Sequence, residues 1–215
     1  MSVLPRSAKP ASYYTHPRMD LVEALPRPHG RVLDVGCAGG ATGEELLRRG
    51  ATEVVGIEAA PGAAELARAR GYSEVIVGDV EDEATGLDGP FDTILCHDIL
   101  EHLLHPDAVL RELARVARPD AILSVSAPNA RHVSLLYDLA VRGSFNYRLE
   151  GHRDSTHIRW FTRKDLIALL EEAGWKVTRV RWADSLRFKP LLLAGGLGRE
   201  FGTYVWYLQA RPAGA

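Results

Sequence analysis

The sequence predicts an α/β domain built on a mostly parallel, doubly wound β-sheet, and three observations support this class. Short apolar segments of strand length alternate with segments of helix length between residues 31 and 128. A glycine-rich stretch, Gly36–Gly40, directly follows the first apolar segment, and acidic residues end the next two. Because parallel strands need crossover connections, this alternation favours a parallel sheet with right-handed helical crossovers.

The first strand, turn and helix form the most informative part of the chain. Val32–Val35 is a short apolar run typical of a strand buried on both faces, and a helix is expected over Ala41–Arg49. Glycines in Gly36–Gly40 let the backbone turn sharply, and the helix start offers unpaired N–H groups. The unit therefore predicts a cradle for a nucleotide-like ligand. Asp34 would repel a phosphate there and suits a ligand with a cationic head.

The second and third strands each lead into a carboxylate. Val54–Ile57 is followed by Glu58, at a position where a carboxylate can accept hydrogen bonds from both ribose hydroxyls. A helix is expected over Ala59–Arg70, and the third strand, Glu74–Val77, is followed by Asp79. Acidic side chains are thus expected at successive strand ends.

The segment after the fourth strand, Phe91–Cys96, is rich in groups that bind ligands. It carries Asp98, Glu101 and His102, which would share one face if the segment were helical. Residues 81–90, before this strand, are expected to form a surface loop with a single helical turn.

Residues 130–160 interrupt the alternation, after a helix expected over Pro106–Ala117 and a fifth strand over Ala121–Ser126. A loop of this length in a compact domain is usually functional or disordered, and this one is too rich in aromatic residues for disorder. We therefore expect it to cover a site. After it, Thr162–Asp165 has capping-box spacing and opens a helix that ends near Gly174.

Two motifs give the chain a family resemblance. The turn Gly36–Gly40 with its strand-end acids, together with the segment 97–106, resembles the class I S-adenosylmethionine-dependent methyltransferases, in the group of the ubiquinone-type O-methyltransferases. Ala38 stands where that family has its middle glycine, which bears on how closely the backbone approaches the methionine moiety. Residues 154–162 resemble a segment of methyltransferases associated with sugar and cell-envelope glycan pathways.

The resemblance implies a Rossmann-like, seven-stranded sheet with an antiparallel last strand, in a single domain of residues 1–215. Residues 1–29 would form an N-terminal arm and lid helix, and residues 30–129 the cofactor-binding core. An insertion after the fifth strand, residues 130–161, would cover the acceptor site. Residues 162–215 would supply a helix and two edge strands, expected at Trp175–Trp182 and Thr203–Ala210, with Leu191–Leu193 between them unassigned.

The resemblance also implies a cofactor, S-adenosylmethionine, which would leave as S-adenosylhomocysteine, and two sets of site residues. The cofactor set is Asp34, Gly36, Cys37, Ala38, Gly40, Glu58, Ala59, Asp79, Val80, His97 and Tyr14. The acceptor set is Asp98, His102, Tyr147 and Arg159. The catalytic set rests instead on residue chemistry, because a histidine can take the proton of a hydroxyl acceptor. The candidates are His152, His157, His97 and His102, and His157 is preferred because it lies on the insertion with Asp154 nearby as an orienting carboxylate. The alternative is that His157 pins the loop by hydrogen bonds. No metal is assigned, although Asp98, Glu101 and His102 are an alternative set of ligands for a divalent ion.

The expected function is methyl transfer to a small-molecule acceptor, at a hydroxyl of a sugar or sugar-containing metabolite. One alternative is O-methylation of a phenolic or quinone-precursor hydroxyl, and another is a non-catalytic cofactor-binding or interaction domain. A nicotinamide-dependent oxidoreductase would share the turn and the strand-end acid. Asp34 and the absence of pyrophosphate-type glycine spacing count against it.

Composition narrows the class of protein further. A formal net charge of −2 gives no electrostatic reason to expect a nucleic-acid partner. No apolar run approaches the roughly 18 residues of a membrane span. Cys37 and Cys96 are expected to be small buried hydrophobic residues, not a disulfide. A cytoplasmic monomer or homodimer is expected.

Overall fold

The chain folds around a mixed sheet of seven strands in a computed structural model, which describes residues 18–26, 29–184 and 195–214. The strands, β1 to β7 in chain order, span Arg31–Val35, Glu53–Glu58, Glu74–Val77, Phe91–His97, Ala117–Pro128, Trp175–Asp184 and Thr203–Pro212. Their order across the sheet is β3-β2-β1-β4-β5-β7-β6. Strands β1 to β5 pair in parallel, whereas β7 is antiparallel to both β5 and β6. The predicted fold class, with its antiparallel last strand, is confirmed.

Eight α-helices within the described residues are named α1 to α8. They span Met19–Ala24, Ala41–Arg48, Pro61–Ala69, Val80–Glu83, Pro106–Arg115, Val133–Ala140, Arg163–Glu172 and Gly195–Gly202. Short 3-10 turns lie at Ala84–Gly86, Leu100–His102 and Gly151–Arg153. No helix in the described ranges has both the length and the apolar character that crossing a bilayer requires.

Apolar side chains cover both faces of the sheet. On one face Val32 of β1 packs in a cluster with Leu46 of α2 and Ala64 of α3. On the other face Leu33 of β1 packs in a cluster with Leu110 of α5. Consecutive residues of a strand point to opposite faces, so an unbroken apolar run is what a doubly wound sheet requires.

The topology fixes the position of the functional site. The strand order reverses between β1 and β4, which lie side by side although β2 and β3 come between them in the chain. In open α/β sheets, ligands bind at such a switch point, outside the carboxyl ends of the strands. The turn after β1 and the segment after β4 therefore flank one crevice.

Helix α6 is a part of the insertion that the sequence did not predict. Val133–Ala140 is helical, and the His132 side chain accepts a hydrogen bond from Ser134 N at its start. Tyr137 and Leu139 are about half exposed, whereas Leu135 is buried. The buried side of this helix includes Asp138, so its apolar pattern does not correspond to its burial.

Asp98, Glu101 and His102 do not lie on one α-helix, the condition under which they would share a face. Only a 3-10 turn, Leu100–His102, forms after β4, and Asp98 precedes it with a φ of +52°. This left-handed conformation turns the chain, so Asp98 faces a different set of residues from Glu101 and His102. Leu191–Leu193 lies outside the described residues.

Candidate active site

The turn after β1 has the backbone conformation that its glycines predict. Gly36 and Gly40 have φ values of +72° and +78°, and Ala38, between them, has a φ of +49°. Gly36 N and Cys37 N both donate to Ile57 O of β2, at 2.9 and 3.0 Å. Ala38 thus adopts the left-handed conformation that the family's middle glycine would adopt more easily.

Glu58 ties the turn to the start of α3. Its Oε2 accepts a hydrogen bond from Ala38 N at 2.9 Å, and its Oε1 accepts one from Ala60 N at 2.8 Å. A carboxylate oxygen has two lone pairs, so each of these oxygens can accept a further hydrogen bond. The carboxylate is held at the ends of β1 and β2, where the sequence expects a ribose.

Asp34 is buried beneath the same turn, and its partner is a residue that the sequence did not single out. Tyr72 Oη donates to Asp34 Oδ2 at 2.6 Å and accepts a hydrogen bond from Gly43 N of α2 at 3.1 Å. Burial raises the pKa of Asp34 to about 6, the Tyr72 hydrogen bond opposes this rise, and the negative charge of Glu58 adds to it. Asp34 is thus a buried acid, held by a hydroxyl, directly beneath the glycine turn.

The segment after β4 contacts the N-terminal helix through Asp98. Its carboxylate forms an ion pair with Arg18, next to the start of α1, and accepts a hydrogen bond from Ser126 Oγ of β5 at 2.8 Å. Arg18 also donates to Tyr207 Oη of β7 at 2.8 Å. Arg18 thus links α1, in the predicted N-terminal lid, to the crevice. Tyr14, a residue of the expected cofactor set, lies outside the described residues.

The insertion docks on the same segment through backbone hydrogen bonds. Ile158 N and Arg159 N both donate to Glu101 O, at 3.0 and 3.1 Å. His102 Nδ1 lies 3.1 Å from Thr156 O, so this nitrogen donates to the carbonyl. The guanidinium of Arg159 donates to the carbonyls of the two residues that follow His102. The insertion is therefore fixed over the end of β4.

This docking brings Glu101, His102 and His157 together. His157 Nε2 lies 3.8 Å from Glu101 Oε1, and the rings of His102 and His157 are 4.8 Å apart at an interplanar angle of 70°. One ligand atom from each residue lies within 4.8 Å of the others, which is compatible with a divalent ion. His157 takes the place that Asp98 has in the set suggested by the sequence.

His152 and Asp154, the other two residues of the expected catalytic set, hold the insertion in shape. His152 Nε2 donates to Tyr204 O at 2.8 Å, and burial lowers the pKa of His152 to about 4. Asp154 Oδ1 accepts hydrogen bonds from Thr156 N and Thr156 Oγ1, at 2.9 and 2.7 Å. Glu101 therefore offers His157 a neighbouring carboxylate.

The remaining residues of the expected cofactor set lie at the carboxyl ends of the strands. His97 Nε2 is 2.9 Å from Ser124 Oγ, and burial, with Arg18 as a second cause, lowers the pKa of His97 to about 3. Asp79 Oδ1 accepts a hydrogen bond from Glu81 N and caps α4. The Val80 side chain is in the core.

Four residues of the expected sets that the structure describes are exposed, namely Ala59, Asp79, Tyr147 and Arg159. Ala59 is exposed between β2 and α3. Tyr147 of the insertion packs edge-on against Phe145 with ring centroids 5.3 Å apart, and Phe145 packs in the same way on Trp160. The insertion thus presents aromatic side chains on its outer part.

Comparison with known proteins identifies the family. Residues 11–180 match the profile of the family described as "Methyltransferase domain". The chain is similar to the ubiquinone biosynthesis O-methyltransferase of Xanthomonas oryzae pv. oryzae strain PXO99A, at 35% identity over 78% of this chain and 69% of that protein. It is also similar to the ubiquinone biosynthesis O-methyltransferase of Hahella chejuensis, at 33% identity over 85% of this chain and 77% of that protein.

A solved structure supports the same conclusion at the level of the fold. The S-adenosylmethionine-dependent methyltransferase from Archaeoglobus fulgidus matches 90% of this chain and 91% of its own chain, with a TM-score of 0.67 and 18% identity. The strand order, the glycine turn and the strand-end acids agree with this relationship. The chain belongs to the methyltransferase domain family and is an S-adenosylmethionine-dependent methyltransferase.

Proposed function

We propose that the enzyme methylates a hydroxyl oxygen of a small molecule bound beneath the insertion, with His157 as the general base. The observation that carries the proposal is the buried pair of His157 and Glu101, at 3.8 Å, beside the crevice after β4. The names of the relatives from Xanthomonas oryzae and Hahella chejuensis support oxygen as the methylated atom.

The residues of the strand ends fit the cofactor. Asp34, a buried acid in the strand before the glycine turn, suits the ammonium group of the methionine moiety. Glu58 keeps lone pairs for the ribose hydroxyls while it holds Ala38 N and Ala60 N. Asp79, or the backbone beside it, would meet the adenine amine. The cofactor supplies an activated methyl group for in-line displacement.

The protein's part in the reaction is alignment and proton removal. Holding the acceptor oxygen in line can lower the barrier by up to about 7–11 kcal/mol. As the oxygen forms its bond to the methyl carbon, the hydroxyl proton passes to the His157 imidazole, a type of step that contributes about 10²–10⁴-fold in rate. The carboxylate of Glu101 then stabilises the imidazolium, in the way that an acid beside a catalytic histidine does in hydrolases.

The acceptor class is the finer part of the proposal. A phenolic or quinone-precursor hydroxyl is favoured by the names of the relatives. A sugar hydroxyl is the second candidate, favoured by the motif of residues 154–162. Asp98, His102, Tyr147 and Arg159 remain the proposed acceptor-side residues.

The proposed setting is cytoplasmic, with the enzyme acting as a monomer or homodimer. Cys37 and Cys96 are free and buried, which fits a reducing compartment.

The test is transfer of a labelled methyl group to two acceptor panels, one of catechols and hydroquinones and one of sugars and nucleotide sugars. We expect label in phenolic products, at least tenfold above the sugar panel. His157→Ala should lose about 10²-fold or more in kcat while its affinity for S-adenosylhomocysteine is unchanged. His105→Ala, in the loop before α5, is the matched control. Unchanged turnover in His157→Ala would refute the base, and label in neither panel would favour a non-catalytic domain.

A further inference from the structure

Three glycines around the cofactor turn share one neighbour, the ring of Tyr72. A Cβ atom at Gly40 would lie 2.9 Å from Tyr72 Cε2, and one at Gly56 would lie 3.0 Å from Tyr72 Cδ1. A Cβ atom at Gly43 would collide with the Tyr72 hydroxyl. Gly43 and Gly56 have no positive φ, so space accounts for their lack of a side chain: the Tyr72 ring at Gly43, and this ring together with Cys37 Sγ, 2.7 Å from a Cβ, at Gly56. The ring is built into the underside of the turn.

The hydroxyl of Tyr72 is fixed in direction as well as in place. Gly43 N donates to Tyr72 Oη at 3.1 Å, and a backbone amide can only donate. The hydroxyl proton is therefore directed to Asp34 Oδ2, at 2.6 Å. A short hydrogen bond from a neutral donor to a carboxylate is of the charge-assisted kind and favours the ionised acid. Tyr72 thus holds one carboxylate oxygen of Asp34 in place.

We propose that Tyr72 is a positioning residue, which orients the Asp34 carboxylate and keeps it ionised for the ammonium group of S-adenosylmethionine, and so sets the acid limit of cofactor binding. The inference rests on the proposed contact between Asp34 and that ammonium group. Tyr72 acts through Asp34 and need not touch the cofactor.

The titratable groups around Asp34 do not favour its ionisation, so the hydrogen bond from Tyr72 is the contact that does. Cys37 of the turn and Cys96 of β4 face it, and burial raises the pKa of both thiols, so they stay neutral. Burial likewise raises the pKa of the Tyr72 phenol. The remaining neighbour is Glu58, whose negative charge disfavours ionisation of Asp34. The hydrogen bond from Tyr72 opposes both burial and Glu58.

The direction of the pH effect follows from these contacts. Asp34 has a pKa of about 6 in the protein, so it is ionised above that pH and protonated below it. A ligand that needs the ionised acid has an apparent affinity that falls with the ionised fraction. Tyr72→Phe removes the hydrogen bond to the charged form, raises the pKa of Asp34, and moves the loss of affinity to higher pH.

The experiment is calorimetric titration of S-adenosylhomocysteine into the full chain between pH 5 and pH 7.5, where the ligand's ammonium group stays charged. For Tyr72→Phe, a rise of about one pKa unit predicts affinity about fivefold weaker than wild type at pH 6 and less than about twofold weaker at pH 7.5. Tyr204→Phe, which removes a hydroxyl on β7, is the matched control. Thermal unfolding verifies that each variant is folded.

Asp34→Asn separates failure of this inference from failure of the proposed contact. If Asp34 binds the ammonium, the variant binds weakly and loses the inflection near pH 6. A wild-type profile in Asp34→Asn would refute the contact itself. A second outcome would overturn only the role of Tyr72. In it, Asp34→Asn loses the inflection near pH 6, but the affinity of Tyr72→Phe depends on pH in the same way as that of wild type. The second measurement is carbon-13 NMR titration of the Asp34 carboxyl in wild type and in Tyr72→Phe. We expect the pKa of Asp34 to be higher in Tyr72→Phe.

Discussion

His157 Nε2 lies 3.8 Å from Glu101 Oε1, with both side chains buried. Glu101 comes from the turn after β4 and His157 from the insertion, so the pair exists only when the insertion is docked. Ile158 N and Arg159 N, which donate to Glu101 O, provide that docking. Docking of the insertion thus assembles the proposed base and its carboxylate.

Glu101→Gln tests whether this pairing matters for the reaction. The amide keeps the size of the side chain but loses the negative charge that would stabilise a protonated His157. We expect kcat to fall by about 10²-fold or more, with the affinity for S-adenosylhomocysteine within about twofold of wild type. Glu112→Gln, in an exposed ion pair of α5, is the control. Steady-state kinetics that match wild type would exclude a catalytic role for Glu101.

Arg18→Ala tests the link between α1 and the crevice. Arg18 contacts Asp98 and Tyr207. Because Arg18 remains partly exposed, we expect the substitution to lower the free energy of unfolding by only about 1 kcal/mol. If α1 closes over the cofactor, S-adenosylhomocysteine should dissociate about fivefold faster in stopped-flow experiments. Arg111→Ala removes an exposed pair on α5 and should leave that rate unchanged. An unaltered rate in Arg18→Ala would show that α1 does not retain the cofactor.

Ala38→Gly tests the backbone of the cofactor turn. Ala38 has a φ of +49°, and this left-handed conformation destabilises the folded state by about 1–2 kcal/mol for an L-residue. Glycine removes that strain, but it also raises the conformational entropy of the unfolded chain, which lowers stability by about 0.4–1 kcal/mol. We expect urea denaturation to show a net gain of roughly 0.5 kcal/mol, without loss of cofactor affinity. Ala108→Gly, exposed on α5, should instead destabilise by about 1 kcal/mol. Equal losses in the two variants would contradict this account.

The low pKa of His152 predicts that the free energy of unfolding decreases at acid pH. Its pKa in the folded protein is about 4, below the ordinary value near 6.5, because it is buried. The unfolded chain binds the proton more readily, so stability is full above pH 6.5 and falls by about 1.4 kcal/mol per unit as the pH drops toward 4. Asp34, with its raised pKa, changes stability in the opposite direction. Urea denaturation at pH 7 and pH 5 should show a smaller loss for His152→Gln, and an equal loss would contradict the assignment.

Much of the fold follows from local sequence. Apolar runs such as Val32–Val35 can be buried on both faces only within a covered sheet, and the glycine turn after β1 needs positive φ values at Gly36 and Gly40. The capping residues Thr162 and Asp165 start α7 as their spacing predicts. In these segments local preference and final structure agree, so the sequence alone was sufficient to predict their secondary structure.

The contacts within the site depend on tertiary structure and were less predictable. Tyr72 lies 38 positions from Asp34, and nothing in the spacing indicates that the two meet. The pairing of Glu101 with His157 follows from backbone hydrogen bonds of the insertion, to which side-chain patterns give no guide. The separation of Asp98 from Glu101 and His102 comes from its left-handed backbone, which is uncommon for a non-glycine residue and has no signal in the sequence.

The most direct test of the cofactor site is thermal unfolding with S-adenosylmethionine, S-adenosylhomocysteine and NAD added separately, to wild type and to Glu58→Ala. Ligand at 100 times its dissociation constant stabilises by about 2.7 kcal/mol, or roughly 5–10 °C for a domain of this size. We predict that rise for the two adenosyl ligands and not for NAD, and a much smaller rise in Glu58→Ala. A rise with NAD alone, or an undiminished rise in Glu58→Ala, would contradict the site described at the ends of β1 and β2.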